Sequence, residues 1–317
     1  MALRAAALVG VVLIAACASG PETRRVEAQV RVLELADVPF FPQEERQCGP
    51  AALATVLAAS GLSVDPDQLS RQVFVPKRGG SLQAELVAAA RRHGRIAYAL
   101  APHIDAALRE LEAGRPVLLL QNLGIGPWPV WHYAVLVGYD PAQDAFILRS
   151  GRQRRLLMRT DRLLRTWDRG GRWMIVTVAP GELPVSAEPG SWLQAVAPME
   201  SVGRVDEAAA AYEAASARWP REPMVWAALG NASARREDWG AALRAYRSSL
   251  ELDPDAALVR NNYAWALLEA GCRSQAGREI EAALAAAPAA QRAILQQTQQ
   301  EILQAAGSAQ PSLACVE

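Results

Sequence analysis

One thiol and one imidazole have the types and placement for covalent chemistry. Cys48 opens an apolar run, "CGPAALATVLAASG", and His132 opens another, "HYAVLVGYD", 84 residues later. The first run reads as a helix. Gly49-Pro50 suits a first turn, Leu53, Val56 and Leu57 recur at helical spacing, and Gly61 closes it. A thiol at a helix start lies at the positive end of the macrodipole, which favours the thiolate, the nucleophilic form. Such a nucleophile needs a base. The chain offers three histidines. His93 sits in "RRHG" at a basic helix end and reads as a solvated cap, and His103 follows Pro102 in a loop. His132 begins a β-strand between Trp131 and Tyr133, two rings that could shield and orient it, so it is the best base. The competing reading of Cys48 is an inert thiol packed beneath its helix.

Composition narrows the alternatives. The 317 residues carry 33 Lys plus Arg and 33 Asp plus Glu, so bulk charge gives no pull towards nucleic acid. With 51% apolar residues the chain has the material for globular cores. The four cysteines, Cys17, Cys48, Cys272 and Cys315, form no CxxC pair, so neither a zinc site nor any cofactor is expected. The N-terminus "MALRAAALVGVVLIAAC" has a basic start, a short apolar core and a small-residue end, the order of a secretory signal. Its last four residues, Ile14 to Cys17, resemble the bacterial lipobox. That resemblance implies a lipidated Cys17 as mature N-terminus, and Ala18 in second place resembles outer-membrane sorting. The expected location is thus the bacterial cell envelope, anchored to the outer membrane and facing the periplasm. Residues 18–34 read as a tether.

Between residues 35 and 180, helical patterns come first and strand patterns later. Asp65-Pro66 starts a short second helix, and Ser81 is placed to cap a third that runs to Gly94. Residues 96–100 read as a strand and 104–112 as a helix. Strand signals follow at 116–122, 132–139, 145–150 and 172–178, the middle two paired through the Asp140-Pro141 turn. This is an α+β order. Residues 181–190, "GELPVSAEPG", read as a linker. Beyond it an internal period appears: Pro220, Pro254 and Pro288 are 34 apart, as are Ala208, Ala242 and Ala276, and Tyr212, Tyr246 and Ile280. That register resembles the tetratricopeptide repeat, clearest in Trp226, Leu229-Gly230, Ala242, Tyr246 and Pro254. It implies about three repeats plus a capping helix over 191–306, an all-α solenoid that binds a protein partner, and a frayed tail over 307–317. Cys272 reads as a buried or loop thiol in a repeat, and Cys315 as part of the tail.

"CGPAAL" at a helix start with "HYAVLVGYD" far downstream resembles the C39-like cysteine peptidases of the papain superfamily. Lipobox in front and repeats behind resemble their PA2778-type subgroup. The resemblance implies a papain-like α+β domain over 35–180, a peptide or protein substrate, and three further roles. A glutamine before the cysteine supplies an oxyanion donor. Gln43 is the choice, five before Cys48 where six is usual in the bacteriocin-leader enzymes, and Gln47 is the alternative. An Asp or Asn 17 or 18 residues after the histidine orients the imidazole. Here that position is Ser150, which accepts a hydrogen bond but does not stabilise imidazolium as a carboxylate does. Asp140 and Asp144 lie in the hairpin turn at the far strand end, while Asp161 and Asp168 are unplaced by sequence. Trp128 and Trp131 either wall a cleft or pack the sheet edge. Three functions follow: a Cys-His peptidase, a peptide-binding lipoprotein without turnover, and an amidase or acyl transferase using the same pair.

Overall fold

Strand alternation decides the architecture. In the computed structural model of the chain, residues 31–42, 47–125, 127–305 and 315 are described, so Cys17 and Gln43 lie outside the described residues. The first half builds α1 (Cys48–Ala59), α2 (Pro66–Val73), the hairpin β2 (Phe74–Val75) with β3 (Gly80–Ser81), and α3 (Gln83–Arg92). It continues with β4 (Ile96–Ala99), α4 (Ile104–Glu112), β5 (Val117–Asn122), β6 (Trp131–Asp140), β7 (Ala145–Ser150), β8 (Gln153–Arg159), α5 (Thr160–Arg169) and β9 (Met174–Val178). With the short β1 (Leu33–Glu34), these strands form an antiparallel sheet in the order β4-β9-β5-β6-β7-β8, β1 lying beside β6. Leu118 and Leu120, Tyr133, Val135 and Val137, and Ile147 face one way, against α1, α2 and α3. Their neighbours Val117 and Leu119, Ala134 and Leu136, and Phe146 and Leu148 face the other way, against α4 and α5. A sheet covered on both faces favours apolar side chains on both, which is why these strands read as largely apolar runs.

The central helix α1 is buried along Gly49 to Leu57. Leu53, Val56 and Leu57 are essentially without exposure, each such side chain contributing roughly 2 kcal/mol on burial. Thr177 from β9 donates to the Val56 carbonyl at 2.9 Å, and Thr55 donates to the Ala51 carbonyl at 2.9 Å, so the helix's polar side groups are satisfied inside the core. Residues 35–38, which lead towards Cys48, are held by Arg149. Its guanidinium donates to the carbonyls of Leu35, Ala36 and Val38 at 3.1 to 3.3 Å.

The third helix departs from expectation at its start. Asp65 caps α2 through the Asp67 N–H at 2.9 Å, but the cap residue of α3 is Leu82. Ser81 instead ends β3, because pairing with β2 draws it out of the helix. The segment 153–169, unassigned from sequence, supplies the edge strand β8 and the helix α5. The arginines of β8 face solvent, and charge on an edge strand discourages pairing with other chains.

Residues 181–188 are fastened to the first half. Glu110 Oε1 accepts from Ser186 N–H at 2.8 Å and from its hydroxyl at 2.5 Å, and the Glu188 N–H donates to Tyr98 Oη at 3.2 Å. Seven helices follow: α6 (Pro189–Ser201), α7 (Val205–Arg218), α8 (Pro223–Arg235), α9 (Trp239–Leu252), α10 (Ala257–Glu269), α11 (Arg273–Ala286) and α12 (Arg292–Gln304). Pairs begin at residues 189, 223 and 257, each 34 after the last, and successive helices pack on one another. Trp192 of α6 is buried against Tyr98 of β4, ring centroids 6.1 Å apart, so the first pair shares the sheet's core. Cys272 is not a free thiol, and Cys315 is not unattached: they form a disulfide, S–S 2.05 Å. Spacing alone does not reveal such a pairing, because the bond closes 43 residues of chain.

Small and large residues interlock where the period places them. A Cβ on Gly230 would lie 2.6 Å from the Tyr246 ring, whose hydroxyl donates to Asn231 Oδ1 at 2.8 Å. Gly230→Ala is therefore expected to destabilise the helical half by about 1–3 kcal/mol in urea unfolding. An unchanged midpoint would contradict this packing account.

Candidate active site

Cys48 is the first residue of α1. Gln47 precedes it as cap residue without a side-chain cap bond, and the first turn carries no acidic residue. The helix therefore presents its positive end, with N–H groups that have no partner within the helix, beside the thiol. Cys48 is half-buried and is the one unpaired cysteine among the described residues. Gly49 keeps the next position bare for a reason of space. A Cβ there would meet Ser81 Cβ and Oγ at 2.6 Å, so glycine lets β3 pack directly on the start of α1. Ser81 Oγ is buried with no hydrogen-bond partner, and its carbonyl accepts from Tyr133 Oη at 3.3 Å. Burial first, and then the negative charge of Cys48 close by, push the Tyr133 hydroxyl well above its ordinary range. Tyr133 therefore remains a protonated donor at neutral pH.

His132 stands near the start of β6, opposite Gln121 of β5. Its Nε2 lies 2.8 Å from Ser150 Oγ, at the end of β7. Ser150 is buried, 8% exposed, so the hydroxyl is not a mobile surface group. Burial pushes the His132 imidazole below its ordinary 6.5. The unfolded chain takes up this proton first as pH falls, so the stability that the neutral ring confers is full above 6.5 and is lost below it. The other carboxylates considered for Ser150's place are engaged elsewhere. Asp140 accepts from Gln143 Nε2 at 2.8 Å, Asp144 from Tyr139 Oη at 3.2 Å, and Asp161 pairs with Arg165 at 2.9 Å. Asp168 pairs with Arg172 at 2.5 Å.

Cys48, His132 and Tyr133 line one cleft of about 1180 Å³. By alternation His132 shares the face of Ala134 and Leu136, while Tyr133 shares that of Val135, towards α1. Cys48 and His132 thus open to the same space from two layers, and no hydrogen bond joins the thiol to the ring among the described contacts. Trp131 walls the cleft and Trp128 does not, standing 70% exposed on the loop beyond. Asn122 shapes that loop by accepting from the N–H groups of Gly124 and Val130 at 3.0 and 2.9 Å. The remaining histidines are elsewhere: His93 caps α3 and its Nε2 lies 3.2 Å from Gln72 Oε1, and His103 precedes α4. Among the described residues no cluster of three His, Cys, Asp or Glu is placed to hold a metal, and no helix is long and apolar enough to cross a membrane.

One cleft residue, and one that holds the neighbouring loop, escaped the sequence. Ser81 looks like a helix cap, and only the β2–β3 pairing turns it into the cleft. Asn122 ends an apolar strand, and an asparagine between a strand and a Gly-Pro-rich loop is the one sign of its turn-holding role.

Residues 35–154 match the Peptidase_C39 like family. No curated protein matches the chain. Solved structures align in part. A Bacillus anthracis protein described as a C39-like peptidase is 19% identical over 47% of this chain and 98% of its own, TM-score 0.41. The peptidase domain of Streptococcus ComA, described as a bi-functional ABC transporter of a quorum sensing pathway, is 20% identical over 44% and 98%, TM-score 0.37. The TPR2B domain of yeast Sti1, described as a pHsp70 complex, is 15% identical over 37% and 96%, TM-score 0.35. The family match covers the segment that carries Cys48, His132 and Ser150, and supports a cysteine-peptidase fold there.

A carboxylate at position 150 would stabilise the imidazolium that burial now opposes. His132 is expected to titrate below 6.5 by NMR in the native chain, and Ser150→Asp to move its midpoint upward. A midpoint unmoved by Ser150→Asp would show that Nε2 does not face position 150.

Proposed function

We propose that this chain is a cysteine peptidase whose nucleophile is Cys48 and whose base is His132, held by Ser150. The observation that carries the reading is the His132–Ser150 hydrogen bond of 2.8 Å on the wall of the cleft that Cys48 enters. When Nε2–H donates to Ser150 Oγ, Nδ1 is the lone pair left for the thiol proton. Substrate closes the remaining gap, since catalytic hydrogen bonds are often long before substrate binds. The thiol proton passes to Nδ1 and the thiolate attacks the peptide carbonyl. The developing oxyanion is received by the Cys48 N–H and, in this reading, by the Gln43 amide, a donor of this kind contributing roughly 3–4 kcal/mol in the best studied case. The tetrahedral adduct collapses as Nδ1–H gives its proton to the departing amine, leaving a thioester on Cys48. Water, deprotonated by the same nitrogen, then attacks the thioester and frees the acid and the thiol. No step calls for a metal or cofactor.

The surrounding organisation fits an envelope protein: 1–17 a lipoprotein signal, 18–34 a tether to a lipidated Cys17, 35–180 the peptidase, 181–190 a connection, and 191–306 a tetratricopeptide solenoid that holds a protein partner. Helix pairs starting 34 residues apart support the solenoid. The Cys272–Cys315 disulfide supports an oxidising compartment such as the periplasm. One observation favours a second reading, a peptide-binding lipoprotein without turnover: Ser150 occupies the place of the carboxylate that would stabilise imidazolium.

Turnover separates the two. The chain from residue 18 onward, incubated with a mixed peptide library and followed by mass spectrometry, is expected to release fragments. Cys48→Ala is expected to lower that release by about 10³-fold or more. Fragment release equal in Cys48→Ala and native chains would refute the nucleophile. A native chain that is alkylated at Cys48 by iodoacetamide yet cuts nothing would establish the binding reading.

A further inference from the structure

Three arginines stand on the rim of the cleft, and each rides on a glycine turn. Arg78 precedes Gly79 between β2 and β3, Arg152 follows Gly151 between β7 and β8, and Arg169 ends α5 before Gly170-Gly171. Gly79, Gly151 and Gly171 all have positive φ, 63°, 58° and 74°, so three separate turns are shaped to leave an arginine beside the cleft. All three side chains are exposed. Arg169 donates to the Asn122 carbonyl at 3.2 and 3.0 Å, a neutral acceptor that leaves its charge uncompensated. None of the three forms an ion pair among the described residues, whereas their neighbours Arg155, Arg165 and Arg172 all do. No Asp or Glu lines the cleft among the described residues. The chain as a whole carries 33 positive and 33 negative side chains, so this is a local concentration of one sign and not a general bias.

We propose that the cleft selects polypeptides with acidic side chains next to the bond presented to Cys48, through Arg78, Arg152 and Arg169. This rests on the peptidase reading and names its substrate class. A guanidinium offers paired donors that match a carboxylate, and low-dielectric walls concentrate the attraction. A concave site of about 1180 Å³ suits an extended peptide better than it suits a flat surface such as a lipid headgroup layer. Trp131, 55% exposed on the same wall, supplies an apolar face for the peptide backbone or a neighbouring side chain.

The test measures binding, so that it does not depend on turnover. The Cys48→Ala chain is titrated with fluorescent, C-terminally amidated peptides that differ only in having two Glu, two Gln or two Lys. At low salt the Glu peptide is expected to bind about tenfold tighter than the Gln peptide, and the advantage to shrink at high salt. Adding Arg78→Gln with Arg152→Gln should remove the advantage, and Arg78→Glu with Arg152→Glu should turn it towards the Lys peptide. A purely structural role would not reverse sign. Equal affinities for the three peptides, or an advantage that survives both double variants, would overturn the proposal. So would arginine variants that weaken binding to phosphatidylglycerol vesicles while peptide discrimination stays intact. A peptide with a free C-terminal carboxylate but no acidic side chain, if it alone is preferred, would also overturn it. Charge discrimination without turnover by the native chain would remove the peptidase reading and leave this one standing. Turnover without discrimination would do the reverse.

Discussion

A helix buried along nine consecutive residues has few places where a reactive group can meet solvent, and α1 uses its first residue for that purpose. Gly49 to Leu57 are enclosed by the sheet and by α2 and α3. Their burial fixes the axis of the helix, and with it the position of Cys48 and of the unpartnered N–H groups beside it. The same enclosure requires glycine at 49, because β3 closes directly over that point. In the proposed mechanism a nucleophile on such a support loses little freedom when substrate arrives, which is the physical value of building a site on a rigid element.

The sheet supplies the other half by its own constraint. Antiparallel pairing of β6 with β7 sets His132 and Ser150 on one face, where their side chains meet at 2.8 Å. Tyr133, one residue on, points to the α1 layer and bonds to the Ser81 carbonyl. Adjacent residues of one strand thus serve two layers: His132 meets Ser150, and Tyr133 closes the floor beneath the thiol. The rim is then decorated from three turns, so the cleft's chemistry is shared among elements far apart in sequence.

Much of this was legible in the chain. The apolar runs announced the strands, because a doubly covered sheet favours apolar side chains on both faces, and the Cys48 and His132 contexts stood out by type and position. Ser150 was reached through the spacing of a resembling family, not through physics of its own. What stayed hidden depends on contacts between distant segments. Residues 153–169 are rich in arginine because β8 is an edge and α5 shows solvent one face, and that masks their regular structure. Arg149 reads as a surface charge, yet is buried at 3% exposure because three carbonyls from residues 35–38 converge on it. The disulfide and the turn of Ser81 into the cleft likewise arise from tertiary pairing that no local pattern encodes.

Everything chemical in the account depends on one coupling: His132 must act on Cys48 across the cleft. The rate of Cys48 alkylation by iodoacetamide at neutral pH measures that coupling without any assumption about substrate. The account predicts that His132→Ala slows it by about tenfold or more while the fold, followed by circular dichroism, is kept. Equal rates in the native and His132→Ala chains would mean that thiol and imidazole do not work together, and the proposed mechanism would be wrong.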